Sequence, residues 1–160
     1  MNRGVLLAED DPNDVLLLQL AFKEVQIHNS LRAVGDGQEA IDYLSGTGPF
    51  ADRIRHPFPA LVILDLKMPR KTGIDVLEWL AREEALRCLP TIMLSSSGHP
   101  GDVEKAYRLG VNAFVTKSSG TSERREFARM IKSFWLTLTE LPLICTEPLD
   151  AVRKGYFDKL

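Results

Sequence analysis

The chain has 160 residues, of which 44% are hydrophobic, so it can bury one complete core without disulfides or structural metals. Its 20 basic and 22 acidic residues give a net charge of −2, which excludes an overall positive field that would attract nucleic acid or an anionic membrane. The first apolar run has only four residues, too few for a signal peptide or a membrane span, and we therefore expect a cytoplasmic protein.

Five short segments have the composition of strands, and most of them are apolar at every residue. Such runs are typical of strands that are buried on both faces, as in a parallel sheet covered by helices. The second segment is a weaker match to this pattern. In chain order, the predicted strands are Val5 to Ala8, Leu31 to Val34, Leu61 to Leu64, Thr91 to Leu94 and Ala113 to Val115.

Helices are predicted between the strands, and two of them have a recognisable start. Asp11 precedes Pro12 as a capping carboxylate, and Asp36 with Glu39 resembles a capping box. Five strands that alternate with five helices predict an α/β fold with right-handed crossovers. We expect a flavodoxin-like, doubly wound sheet of five parallel strands in the order 2-1-3-4-5, with helices on both faces.

The last predicted helix has the most regular apolar repeat in the chain. Six residues recur at positions i, i+3, i+4, i+7, i+8 and i+11, the pattern of a helix with one buried face. We predict that all six pack in the core: Phe127, Met130, Ile131, Phe134, Trp135 and Leu138.

Two segments fall outside this alternation. Residues 46–59 form a long loop, rich in glycine and proline, which we interpret as a candidate binding loop. Leu141-Pro142 ends the helical periodicity, so we divide the chain into a domain of residues 1–139 and an apolar C-terminal extension of residues 140–160. An exposed apolar extension predicts an arm that forms a two-fold homodimer, with an arm folded back on its own domain as the alternative.

Reactive side chains follow the predicted strands at their carboxyl ends, where open α/β sheets bind their ligands. Carboxylates that are distant in sequence should therefore converge on one corner of the sheet, with a hydroxyl and an ammonium group beside them. The carboxylates are those of Glu9, Asp10, Asp11 and Asp65, the hydroxyl is that of Ser95, and the ammonium group is that of Lys117.

Like charges at such a corner raise one another's pKa unless a cation lies among them. Carboxylate and carbonyl oxygens, together with water, suit Mg²⁺ better than zinc or calcium. Zinc and redox sites are also disfavoured because Cys88 and Cys145 lack C-x-x-C spacing. We interpret both cysteines as reduced packing thiols.

Four segments, in this order, resemble the response-regulator receiver family of two-component signalling: LLAEDDPND, LVILDLKMPRKTG, PTIMLSSS and NAFVTK. The resemblance covers nearly all of residues 3–138. The last helix and the long loop are similar to those of the small stand-alone regulators that serve cyanobacterial and bacterial phytochrome kinases. The resemblance implies that residues 1–139 are a receiver domain, which is a signalling phosphoacceptor rather than an enzyme and promotes its own Mg²⁺-dependent phosphorylation and dephosphorylation.

The resemblance also implies a role for each residue of the metal site. Asp65 would be the nucleophile that accepts the phosphoryl group, since a carboxylate can form an acyl phosphate. Asp10 would bind Mg²⁺ directly and Glu9 would bind it through water, with Mn²⁺ as an alternative metal. Asp65 and the backbone carbonyl of Lys67 would complete the protein ligands. No other cofactor is implied.

Three further residues would convert phosphorylation into a change at the surface. Lys117 would pair with Asp65 before transfer and with a phosphoryl oxygen afterwards. The Ser95 hydroxyl would be drawn towards the phosphoryl group, and Phe114 would change rotamer on the face formed by the fourth helix and the fifth strand. The family commonly has a cis-proline after the lysine, whereas this chain has Ser118.

The resemblance implies a histidine kinase, of the phytochrome photoreceptor type, as the phosphoryl donor. A histidine phosphotransfer protein is a candidate downstream partner, and we expect neither nucleic acid nor a membrane as a partner. Two other functions compete with this one. The first is a receiver-like module that binds partners independently of phosphorylation. The second is a flavodoxin-like cofactor binder, which is disfavoured because carboxylates stand where a phosphate-binding loop would be needed.

Overall fold

The computed structural model describes residues 4–140. Their strands form a single five-stranded sheet. All neighbouring strands are parallel, and their order is β2-β1-β3-β4-β5. The predicted topology is therefore confirmed, whereas residues 141–160, and with them nearly all of the predicted dimerisation arm, lie outside the described residues. The strands are β1 (Val5–Ala8), β2 (Leu31–Val34), β3 (Leu61–Asp65), β4 (Thr91–Ser95) and β5 (Ala113–Thr116).

Helices alternate with the strands, as the capping signals predict. Asp11 accepts a hydrogen bond from the backbone N–H of Asn13 at 2.8 Å, and Asp36 accepts one from the N–H of Glu39 at 2.9 Å. No helix within residues 4–140 is long and apolar enough to cross a membrane. The helices are α1 (Pro12–Glu24), α2 (Gly37–Ser45), α3 (Gly73–Arg82), α4 (Pro100–Arg108) and α5 (Thr121–Met130).

The sheet separates two hydrophobic clusters, because successive side chains of a strand point to opposite faces. On one face, Leu6 and Leu64 pack with residues of α2, α3 and α4. On the other face, Leu7 and Ile63 pack with residues of α1 and α5. Both faces of the central strands are thus fully buried, which explains why their sequences are apolar at every residue.

The end of the last helix differs from the prediction. After α5 the chain continues as a π-helix, Ile131–Leu138, in which the Thr139 N–H donates to the Phe134 carbonyl, five residues earlier, at 2.9 Å. The wider turn shifts the later side chains out of the α-helical phase. Phe134 and Leu138 are therefore 52% and 73% exposed, and the prediction that they pack in the core is wrong for these two residues.

The loop of residues 46–59 is folded against the C-terminal end of α2. The Arg53 guanidinium donates to the carbonyl oxygens of Tyr43 at 2.7 Å and of Leu44 at 2.8 Å, which are two of the last carbonyl groups of the helix. The Tyr43 hydroxyl donates to the Pro57 carbonyl at 2.9 Å. Ile54 is left 94% exposed. That the loop binds a partner stays a prediction.

Cys88 is exposed at the surface, between α3 and β4. The interpretation of this residue as a packing thiol is therefore wrong. Its neighbours Leu86 and Leu89 provide the buried contacts of this connection instead. Cys145 lies outside the described residues.

Candidate functional site

The carboxyl ends of β1 and β3 bring three carboxylates together. Glu9 and Asp10 follow β1 directly, and Asp65 is the last residue of β3. The register of the two strands pairs Ala8 with Leu64, so the next residues, Glu9 and Asp65, lie side by side at the end of the sheet. One carboxylate oxygen from each residue lies within 4.8 Å of the other two. Glu9 and Asp65 are buried, with 4% and 7% exposure, whereas Asp10 is open to solvent.

Lys117 lies among these carboxylates, at the end of β5. Its Nζ atom is 2.5 Å from Glu9 Oε2, 3.0 Å from Asp14 Oδ2 and 3.1 Å from Asp65 Oδ1. An ammonium group has three N–H donors, so these three carboxylates can use all of them. The backbone N–H of Lys117 donates to the Ser95 carbonyl at 2.7 Å, which anchors the start of this side chain to the end of β4.

Asp14 is a site residue that the sequence analysis did not identify. It lies in the first turn of α1, three residues after the capping Asp11. A carboxylate at this position has an ordinary explanation, since acidic residues favour the positive end of a helix dipole. Its spacing could have indicated the contact, because a residue that lies one helical turn after Asp11 can point towards the same end of the sheet as Glu9.

Burial determines the charge balance of the site. It raises the pKa of both Glu9 and Asp65, and their hydrogen bonds with Lys117 offset this effect only in part. Burial alone would lower the pKa of Lys117, but its bonds to Glu9, Asp14 and Asp65 outweigh burial and raise that pKa. The lysine therefore stays charged, and one cation faces four carboxylates, including that of Asp10. The site has a surplus of negative charge, which favours a second cation.

Ser95 ends β4, and Phe114 lies in the neighbouring strand β5. The buried Ser95 hydroxyl donates to the Ser97 carbonyl at 2.6 Å and accepts from the Ser97 N–H at 3.1 Å, so it is held within its own turn. Phe114 is half-buried against the cluster on the α4 face of the sheet. Its backbone N–H donates to the Tyr107 hydroxyl at 3.2 Å.

The connection from β3 to α3 carries Lys67, which is exposed two residues after Asp65. The connection is closed at its base, where the Gly73 N–H donates to the Leu66 carbonyl at 3.1 Å. A Cβ atom at position 73 would lie 2.3 Å from the Asp65 carbonyl oxygen, so only glycine fits this close approach. Across the site, the peptide bond between Lys117 and Ser118 is trans, as are all those within residues 4–140.

The three converging side chains fit a hard divalent cation. All of them offer carboxylate oxygens, and the group contains no sulfur or imidazole ligand. A cavity of about 490 Å³ adjoins the site between α1 and α5, and its walls include Leu18, Val115 and Phe127. Glu9 and Asp14 stand at this cavity, so it is poorly suited to the phosphate of a flavin cofactor.

Comparisons with known proteins agree with this geometry. The family model for the response regulator receiver domain matches residues 5–129. Response regulator Rcp1 of Synechocystis is 33% identical over 138 residues, which are 86% of this chain and 92% of Rcp1. The crystal structure of the phosphorylated cyanobacterial phytochrome response regulator RcpA is 32% identical, with a TM-score of 0.81 over 89% of this chain and 99% of RcpA. The Mn²⁺-bound form of Rcp1 is 33% identical, with a TM-score of 0.78 over 88% of this chain and 99% of that structure.

Proposed function

Because this chain belongs to the response regulator receiver domain family, we propose that its Asp65 accepts a phosphoryl group from the phosphohistidine of a histidine kinase. The observation that carries the proposal is the position of Asp65, buried at the end of β3, paired with Lys117 and adjacent to Glu9 and Asp10. A buried carboxylate with a cation on one oxygen has its second oxygen available as a nucleophile.

The reaction is a displacement at phosphorus. An Asp65 oxygen forms the new P–O bond while the P–N bond of the phosphohistidine breaks, and the histidine nitrogen keeps the electron pair of that bond. Lys117 then transfers its hydrogen bond from Asp65 Oδ1 to a phosphoryl oxygen, which requires only a small movement of a flexible side chain. No protein base is required because the nucleophile is already ionised.

Glu9, Asp10 and Asp65 would hold Mg²⁺, or Mn²⁺ in its place, together with the backbone carbonyl of Lys67. The bound cation would supply charge neutralisation for the phosphoryl oxygens. The same residues would serve self-phosphorylation from small phosphodonors. Water attack at phosphorus would later break the bond to Asp65, release inorganic phosphate and restore the carboxylate. Support for a divalent metal comes from the carboxylate geometry and from the Mn²⁺-bound structure of Rcp1.

Ser95 and Phe114 would transmit the phosphorylated state to the surface. A phosphoryl group on Asp65 offers new acceptor oxygens, and the Ser95 hydroxyl would exchange its bond to Ser97 for one of them. Phe114 is half-buried, and its ring would turn inwards when the β4 turn moves. The resulting change on the α4 and β5 face would be the signal that a partner recognises.

Replacing Asp10 with asparagine should weaken Mg²⁺ binding by about tenfold or more, since even ligands outside the first coordination sphere typically change metal affinity by 10–100-fold. Calorimetric titration with MgCl₂ measures the effect. Asp11→Asn is the matched control, because the structure leaves Asp11 outside the group of three converging carboxylates that the sequence predicted it to join, and asparagine caps helices equally well. Equal affinities in the two variants would place the metal elsewhere.

We propose a phytochrome-type photoreceptor kinase as the phosphoryl donor, on the basis of the likeness to RcpA. In phosphotransfer profiling against a panel of purified kinases, transfer from phytochrome-type kinases should be faster than from the others by at least about tenfold, which corresponds to about 1.4 kcal/mol of discrimination. A histidine phosphotransfer protein tested with the phosphorylated chain would examine the downstream step. Equally slow transfer from every kinase would contradict a dedicated partner.

We also propose that residues 140–160 form an arm that pairs two copies of the chain. Support comes from Phe134 and Leu138, which are two exposed apolar side chains shortly before this segment. Truncation after Thr139 should convert a dimer into a monomer in sedimentation equilibrium.

The double variant Phe134→Ser/Leu138→Ser should weaken dimerisation as well, whereas Leu20→Ser, at a similarly exposed leucine of α1, should not. If the full chain sediments as a monomer at micromolar concentration, with and without phosphorylation, the arm does not form a dimer and the folded-back alternative is favoured.

A further inference from the structure

The loop after the phosphoacceptor is fastened to α2 by an ion pair that the proposed reaction does not use. Arg70 lies in this loop, between β3 and α3, and Asp36 is the residue that precedes α2. The Arg70 Nε and Nη2 atoms lie 2.7 and 2.5 Å from the same oxygen, Asp36 Oδ2. The two residues are 34 positions apart in sequence. The pair therefore joins the β2–α2 loop to the β3–α3 loop, at the carboxyl ends of the strands where the site lies.

The Asp36 carboxylate serves both connections at once. Its Oδ1 accepts the Glu39 N–H at 2.9 Å as the cap of α2, while Oδ2 receives Arg70. The Asp36 side chain is buried, whereas half of the Arg70 side chain remains exposed. Burial by itself would raise the pKa of Asp36, but the Glu39 N–H and the Arg70 guanidinium outweigh it and lower that pKa. Asp36 is therefore a charged anchor at neutral pH.

Two backbone features indicate that the loop is held in one defined shape. Arg70 has a φ of 59°, a left-handed conformation that residues other than glycine seldom adopt without support from their surroundings. Next to it, the Gly37 N–H donates to the Lys71 carbonyl at 3.0 Å, and a Cβ at position 37 would lie 2.3 Å from that oxygen. The start of α2 and the tip of the loop are thus in direct backbone contact, with the ion pair beside it.

Lys67 lies within this loop, between its base at Leu66 and Gly73 and its tip at Arg70 and Lys71. We propose that Asp36 and Arg70 are positioning residues for the metal site, because their ion pair fixes the loop conformation that presents the Lys67 carbonyl to the divalent cation. This inference rests on the proposed function, since it requires the metal site of Glu9, Asp10 and Asp65. Neither residue touches the phosphoryl group or the metal, and both act through the loop.

The test is a titration of ¹⁵N-labelled full-length protein with MgCl₂, followed by the amide signals of residues 66–72 and of the three acidic site residues. Asp36→Asn keeps the helix cap but removes the charge, and Arg70→Gln removes the partner. Each should weaken Mg²⁺ binding by about tenfold, as is typical for groups that orient metal ligands. The double variant should bind Mg²⁺ no more weakly than either single variant does, because the two residues act as one unit. Arg70→Lys, which keeps the charge, should recover part of the affinity.

Arg55→Gln is the matched control, since it also removes an ion-paired arginine, but its partner Asp52 lies in the loop of residues 46–59. Its Mg²⁺ affinity should equal that of the wild type. Unchanged affinity in Asp36→Asn and Arg70→Gln, or an equal loss in Arg55→Gln, would overturn the inference while the proposed function stands. If the wild type itself binds no Mg²⁺, the proposed metal site fails, and the positioning role fails with it.

Discussion

Asparagine in place of Asp65 should reduce phosphoryl incorporation from acetyl phosphate and Mg²⁺ to the background level. The substitution removes the nucleophilic oxygen and keeps the size of the side chain, so the fold should be retained. Intact-protein mass spectrometry under mild conditions should show the added phosphoryl mass in the wild type and in the control Asp11→Asn, and none in Asp65→Asn. If Asp65→Asn incorporated as much phosphoryl group as the wild type, the assignment of Asp65 as the phosphoacceptor would be wrong.

The same variant should be more stable than the wild type when no divalent cation is present. Burial raises the pKa of Asp65, which means that the folded state disfavours its ionised form. A raised carboxyl pKa costs stability above that pKa, and the cost disappears as the pH falls through it. The advantage of Asp65→Asn in urea unfolding should therefore be largest near neutral pH and shrink on acidification.

Methionine in place of Lys117 should lower the free energy of unfolding of the metal-free protein by about 3 kcal/mol. Removing one partner of a buried ion pair typically costs 3–5 kcal/mol, and the lower end applies because the Lys117 side chain is 20% exposed. Glu9 and Asp65 would be left buried without a counter-charge. Urea unfolding at neutral pH in EDTA measures the loss.

Mg²⁺ should restore much of the stability lost in Lys117→Met. Lysine and the cation compensate the same carboxylates, so removing the lysine should tighten metal binding, and a ligand at a hundredfold excess over its dissociation constant stabilises by about 2.7 kcal/mol. Lys105→Met is the control, since it breaks only the surface pair with Glu78 and should change stability by less than about 1 kcal/mol. If the two variants had the same free energy of unfolding in EDTA, Lys117 would not be the counter-charge of the buried carboxylates.

The parts of the fold that follow from local pattern could be predicted from sequence. The segments around Leu7, Ile63 and Met93 are buried on both sides of the sheet, and such strands are apolar at every residue. Capping carboxylates mark where helices begin, as Asp11 and Asp36 do. Because ligands of this topology collect at the carboxyl ends of strands, the convergence of Glu9, Asp10 and Asp65 followed from the strand assignments alone.

Other features depend on geometry that periodicity does not encode. A change from α- to π-helical hydrogen bonding moved Phe134 and Leu138 out of the core, although their spacing fits an α-helix. Asp14 has an ordinary role as an acidic residue in a first helical turn, so its sequence position does not reveal the contact with Lys117. The pairing of Asp36 with Arg70 joins two loops, and only the folded chain brings them together.

The way Arg53 closes the loop of residues 46–59 has a use in engineering. The loop connects the end of α2 to the start of β3, whereas the carboxylates lie at the opposite end of that strand. Its base is fastened by Arg53 and Tyr43, while Ile54 at the surface is almost fully exposed. The backbone N–H groups of Ile54 and Arg55 both donate to Asp52 Oδ1, at 3.0 and 3.2 Å, so the backbone of this turn is held as well. A fluorescent label on the exposed side chain at position 54, attached through Ile54→Cys, would therefore be carried by a hydrogen-bonded turn that is remote from the phosphorylation chemistry.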